Sequence, residues 1–233
     1  FKEVRLNDIK DYHESFALWQ DFVIQGDLIY PNENVARFIF KNKFTSALDF
    51  GCGTGRHLDV FLRAGIKTII GVDINELPLK KSFERFNENA TKAKAELILL
   101  NNKNKTLKQL LPELKVDAII SWGILFLFTP QIAQNLLKEF KSILNKNGKI
   151  CVNFISVNDG LKTQSIQIAQ NIYKATRASH KDLLFSVYDE ALIDEIFKQA
   201  GLKITSIDKE IYTRDNGSEY NEFRVVQAVN EIS

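Results

Sequence analysis

The stretch ALDFGCGTGRHLDVF, residues 47–61, sets an apolar run before an amphipathic one across three glycines at alternate positions, Gly51, Gly53 and Gly55. A short apolar run bounded by turn residues reads as a buried strand, and TGRHLDVFLRAG reads as a helix stopped by Gly65. Glycine at each alternate position lets the backbone turn tightly and approach a ligand with no Cβ in between. In a doubly wound α/β sheet such a loop lies beyond the carboxyl end of the first strand, where ligands bind.

Three readings of the loop compete. A Walker-type phosphate cradle ends in Gly-Lys-Ser/Thr, whereas Gly55 is followed by Arg56 and His57, which excludes it. A dinucleotide fingerprint places a third glycine three residues after the second, and Arg56 stands there instead. The third reading is a tight strand-to-helix turn with no ligand, against which polar Thr54 between two glycines counts. Asp73, in IIGVDIN, lies 18 residues past Gly55 at the end of the second apolar run, where an acid accepts hydrogen bonds from ribose hydroxyls. Dinucleotides and other adenosine ligands share that ribose, so Asp73 does not choose between them.

Outward from the loop, apolar runs alternate with amphipathic stretches, the pattern of a mostly parallel sheet flanked by helices. TIIGVDI, AELILL, VDAIISWGILFLF and KICVNFI supply strands two to five. NENVARFIFKN is a helix capped by Asn32 or Asn34, LPLKKSFERFNENA carries Pro78 in its first turn, and LKQLLPEL is a short interrupted helix. TPQIAQNLLKEFKSILNKNG is a helix with Thr129 as cap, Pro130 at its first position and Gly148 at its stop. Residues 156–186 interrupt the alternation with a polar, helix-bearing segment, and YDEALIDEIFKQAG is a late helix. LKITSIDKEIYT and EFRVVQAV, joined across Asn216-Gly217, close the chain as an antiparallel hairpin.

The 233 residues are 45% hydrophobic and 26% charged, enough for one sizeable core. A formal charge of +2 gives no basic excess to track a nucleic-acid backbone. The longest apolar stretch, residues 118–128, is about half the ~20 residues a membrane helix needs. Cys52 and Cys151 are far apart and without metal-type spacing, which suits a reducing, cytoplasmic compartment. His13, His57 and His180 form no local ligand spacing, so no metal site is expected. Richness in Lys, Ile and Asn suits an AT-rich bacterial genome.

Together LDFGCGTG, GVDIN, VDAIISWGILFLF and ILNKNGKICVNFI, in that order, resemble the class I S-adenosylmethionine-dependent methyltransferases with the Rossmann-like fold. The resemblance covers roughly residues 46–229, and the late helix and closing hairpin match it, although Asn147 stands where many relatives have proline. It implies an α/β fold with a doubly wound, mostly parallel seven-stranded sheet, a C-terminal antiparallel strand and helices on both faces. Asp49 and the loop Gly51, Cys52, Gly53 and Gly55 would surround the amino-acid end of S-adenosylmethionine, and Asp73 would bind the ribose with Ile74 against the adenine. Asn101 or Asn102 would accept from the adenine amino group, where the family often has an acid. Ser121, Trp122 and Gly123 would form the floor below the sulfonium.

Relatives often carry histidine just after the fourth strand, but Phe126 and Leu127 occupy those places. A general base is thus missing from one expected location, leaving Tyr12 or His13 on the N-terminal helix, or His180, as candidates, or an acceptor needing none. A single domain is expected, with residues 1–30 a helical lid, 31–155 and 187–233 the core, and 156–186 a substrate-side insertion. Tyr12, Phe16 and Trp19 recur at helical spacing on the lid, with Phe16 suited to core packing and the other two to closing over the site. Arg37 would meet the cofactor carboxylate or solvent. Lys174, Arg177, His180 and Lys181 form a basic cluster that suits either a solvated face or an anionic group on the acceptor. The expected activity is metal-independent methyl transfer to a small molecule, at oxygen before nitrogen. A nicotinamide-dependent oxidoreductase and a non-catalytic S-adenosylmethionine-binding protein are the alternatives.

Overall fold

The computed structural model describes residues 15, 18, 29–89, 94–99 and 107–231. A central sheet runs in the order β3 (Lys94–Leu99), β2 (Thr68–Asp73), β1 (Ser46–Phe50), β4 (Val116–Ser121), β5 (Leu144–Ser156), β10 (Glu219–Val229) and β9 (Lys203–Arg214). All pairs are parallel except those of β10, which runs antiparallel to both β5 and β9. These seven strands carry the expected antiparallel strand, but the sheet as a whole has ten, because three more join it at β5.

Alternation along the strands sorts side chains to two faces. Ala47, Ala118 and Ile120 pack with α1 (Glu33–Lys41), α2 (Leu58–Arg63) and α3 (Glu76–Asn89). Leu48, Phe50 and Ile119 pack with α5 (Pro130–Ile143) and α7 (Glu190–Ala200) on the other, α4 (Leu107–Leu110) also contributing there. Asn32 caps α1, its side chain accepting from the Asn34 amide at 2.8 Å, and Thr129 caps α5 with Pro130 behind it. The α5 helix ends at Ile143, short of the expected stop at Gly148, because the strand already begins at Leu144.

Residues 156–186 correct the sequence reading more substantially. Beyond one α-turn, α6 (Gly160–Thr163), and a 3-10 turn at Ala178–His180, the segment is an antiparallel meander of β6 (Ser165–Ala169), β7 (Ile172–Ala175) and β8 (Leu184–Tyr188). β5 outruns β4: their pairing ends at Ser121–Val152, and further on Ile155 and Ser156 pair with Val187 and Tyr188 of β8. Ile155 also pairs with Phe223 of β10, so β8 occupies the opposite edge of β5, the one β4 has vacated. The meander thereby stands over the carboxyl end of β4, above the ligand crevice of this fold. Ser15 touches it from the N-terminal side, its Oγ accepting the Leu184 amide at 2.9 Å.

Candidate functional site

The glycine loop is pinned to β2. The Gly51 and Cys52 amides both donate to the Val72 carbonyl, at 2.7 and 3.0 Å, which turns the chain away from β1. Gly51, Gly53 and Gly55 all have positive φ, +78°, +52° and +83°, which side-chain-bearing residues rarely adopt. A Cβ on Gly51 would also collide with the Ile124 side chain, which would have to move aside. Asp73 completes the turn: Oδ2 accepts from the Gly53 amide and Oδ1 from the Asn75 amide, each at 2.8 Å. Burial pushes its carboxyl above the usual range against these two hydrogen bonds.

Beneath the loop lies Asp49, 1% exposed, with neither carboxylate oxygen hydrogen-bonded among the described residues. Its Oδ2 faces Nδ1 of His57 at 3.6 Å, while His57 Nε2 accepts the Asn32 amide at 3.3 Å. A neutral His57 therefore carries its proton on Nδ1, the nitrogen turned toward Asp49. Cys52 is a buried thiol whose pKa is pushed well up by burial and by the fields of Asp49 and Asp73, so it is no nucleophile.

These elements border a cleft of about 690 Å³. Of the residues assigned to the cofactor from sequence, Gly51, Cys52, Gly53, Asp73, Ile74, Trp122 and Gly123 line it. Asp49, Gly55 and Ser121 are buried behind its wall instead, because strand alternation and the loop turn them inward. Asn101, Asn102, Tyr12, His13, Phe16 and Trp19 fall outside the described residues. Gly123 is held by Asn153, whose Oδ1 accepts its amide at 2.7 Å. Arg37 points to solvent and pairs with Glu33 one turn away, away from the cleft.

The basic cluster of the insertion divides. Arg177 and His180 line the cleft, but Arg177 is ion-paired to Glu219. Lys174 pairs with Asp182 at 3.2 Å and Lys181 is exposed, both outside the lining. Burial and the charges of Arg177 and Arg214 lower the His180 pKa, which favours its neutral ring.

The sequence reading missed one whole wall. Glu210, Tyr212 and Arg214 of β9, with Glu219, Asn221 and Phe223 opposite them on β10, line the cleft. The two strands pair on past Phe223, where β10 leaves β5, so the hairpin overhangs the crevice and presents one face to it. The signal was the period-two pattern E-x-Y-x-R and E-x-N-x-F flanking the Asn216-Gly217 turn.

A sequence profile described as a methyltransferase domain matches residues 12–207, and the chain belongs to that family of enzymes. Its fold is that of S-adenosylmethionine-dependent methyltransferases. One from Methanosarcina mazei superposes with a TM-score of 0.67 at 15% identity, over 88% of this chain and 100% of its own. The Burkholderia thailandensis 1,6-didemethyltoxoflavin-N1-methyltransferase, solved with 1,6-didemethyltoxoflavin and S-adenosylhomocysteine, gives 0.61 at 17% identity over 94% and 90%. Magnesium protoporphyrin IX methyltransferase from Synechocystis PCC 6803, with S-adenosylhomocysteine bound, gives 0.61 at 18% over 95% and 86%.

Proposed function

We propose that this chain transfers a methyl group from S-adenosylmethionine to a small-molecule acceptor, at oxygen in preference to nitrogen, without a metal ion, in the bacterial cytoplasm. The observation that carries this reading is Asp73, a cleft-lining carboxylate whose two oxygens are fixed by the Gly53 and Asn75 amides. Each oxygen keeps a lone pair for a sugar hydroxyl. The residues present suit the cofactor: Gly51, Gly53 and Gly55 take left-handed conformations that turn the loop at the cleft, and Asp49 beneath them is a buried carboxylate with no hydrogen bond among the described residues.

When bound, S-adenosylmethionine supplies a methyl group made electrophilic by its own sulfonium charge. The chain has then to orient, dry and deprotonate. Ile74 and Pro78 offer apolar surface at the loop side, and Trp122, Phe126, Phe128 and Phe223 exclude water from the far side. His180, with Nδ1 2.8 Å from Ser179 Oγ, takes the proton of an acceptor hydroxyl, which is why oxygen is preferred. A cleft of about 690 Å³ is in the range that holds small molecules. The free thiols Cys52 and Cys151 suit a reducing compartment.

Incubation with S-adenosylmethionine and a panel of phenols, hydroxy acids and amines tests this, with S-adenosylhomocysteine as the readout. Acceptor-dependent release, fastest with hydroxyl acceptors, is expected. Cofactor-dependent turnover with NADPH and none with S-adenosylmethionine would overturn it.

A further inference from the structure

The acceptor half of the cleft carries an imbalance that the methyl-transfer reading does not use. Its acids are committed. Glu219 pairs with Arg177, both largely buried. Glu210 accepts the side-chain amides of Asn32 and Asn34 at 2.9 and 3.2 Å and faces the charge of Arg56 from the loop. Asp159, 2% exposed, accepts the Leu161 and Glu222 amides at 2.8 and 2.7 Å. Arg214 differs. It lines the cleft, makes no ion pair among the described residues, and rests its guanidinium 5.1 Å over the Tyr212 ring.

That ring belongs to a row of three neighbouring aromatic rings. Tyr212 and Phe223 lie 6.1 Å apart at 25° to each other, and Phe126 stands 6.1 Å from Phe223, tilted by 40°. A planar molecule stacked on these rings comes within reach of the Arg214 guanidinium, which lies against Tyr212. A guanidinium stacked on an aromatic face keeps its in-plane N–H groups available for a carboxylate or phosphate.

We infer that the acceptor is a planar aromatic molecule bearing a carboxylate or phosphate, and that Arg214 of the overhanging hairpin pairs with that anion. The inference rests on the methyltransferase reading for the word acceptor, but the subsite is measurable by itself. Arg214 is exposed and far along the hairpin, so its replacement leaves the core packing intact.

Calorimetry on the full chain, with and without saturating S-adenosylhomocysteine, would use salicylate and phenyl phosphate as probes against their neutral counterparts salicylamide and phenol. At least one anion should bind tenfold or more tightly than its counterpart. The preference should vanish in Arg214→Gln and return in part in Arg214→Lys, with the Kd for S-adenosylhomocysteine unchanged within twofold. The probe with the larger preference tells carboxylate from phosphate. Anions that bind no better than their counterparts, or not at all, would overturn the inference, as would a preference that survives in Arg214→Gln. Absence of S-adenosylhomocysteine binding to the wild-type chain would instead remove the methyltransferase reading and leave the anion preference to stand or fall on its own heats.

Discussion

His57 Nδ1 stands 3.6 Å from Asp49 Oδ2, and both side chains are sealed from solvent. The ring's other nitrogen holds the amide of Asn32, the cap of α1, whose side chain reaches on to Glu210. One imidazole therefore links the carboxylate under the glycine loop to the N-terminal cap of α1. A buried carboxylate without that dipole costs about 1–3 kcal/mol. His57→Ala should lower stability by about that much. In a double-mutant cycle with Asp49→Ala the two losses should be coupled by about 0.5 kcal/mol or more. Denaturant midpoints measure both, and strictly additive losses would show that the contact is spatial only.

Gly51 is constrained twice, by its φ of +78° and by the Ile124 side chain that a Cβ would strike. Gly51→Ala should cost about 1–3 kcal/mol from backbone strain. It should also push Ile124 into the cleft and weaken S-adenosylhomocysteine binding. Thermal melts and calorimetry on one preparation give both numbers. An unchanged Kd with a lowered Tm would confine the glycine to a folding role.

The pKa of His180 is lowered by burial and by two arginines, so its neutral, proton-accepting form persists below pH 6.5. As the general base it would place the acid limb of the kcat/KM profile below that value, for whichever acceptor the panel yields. His180→Asn should lower kcat strongly and erase the limb. A limb retained in the variant assigns the proton to another group.

Glu222 is buried on β10 between the cleft-lining Asn221 and Phe223. Burial pushes its carboxyl up, but hydrogen bonds from Tyr220, Ser156, Arg224 and Asn158 outweigh this and hold it at about 2. Its folded pKa is depressed, so its stabilisation is full above the model-peptide value of 4.5 and is lost as pH falls toward about 2. Glu222→Gln should flatten the decline of unfolding free energy in that window by up to about 1.4 kcal/mol per pH unit. Parallel slopes in the two proteins would contradict the assignment.

The parts of this molecule that sequence revealed are those where local chemistry and tertiary role coincide. Gly51 to Gly55, Thr129-Pro130 and Asn216-Gly217 each announce a backbone geometry that the fold then uses. Residues 165–175 misled because Ile166 and Ile168 of β6 alternate as a strand does, yet face outward, 61% and 52% exposed. No buried face supports that pattern, and a polar setting read as helix. The turn between β6 and β7 rests on Asn171 in the left-handed region, a weaker signal than Asn-Gly. The hairpin wall was hidden for a different reason. Which face of the β9–β10 hairpin looks into the cleft depends on how far it overhangs β5, a fact of pairing register between residues some seventy apart.

The central claim is that Asp73 grips a ribose at the lip of the glycine loop. Titration of the wild-type chain, Asp73→Asn and Asp73→Ala with S-adenosylhomocysteine tests it most directly. Loss of a charge-assisted hydrogen bond of about 1.5–3 kcal/mol predicts binding weakened roughly ten- to hundredfold in both variants. The Asn variant should be the milder, because its amide oxygen still accepts from Gly53 or Asn75. Undiminished affinity in Asp73→Ala, or no heat with the wild-type chain, would contradict the account.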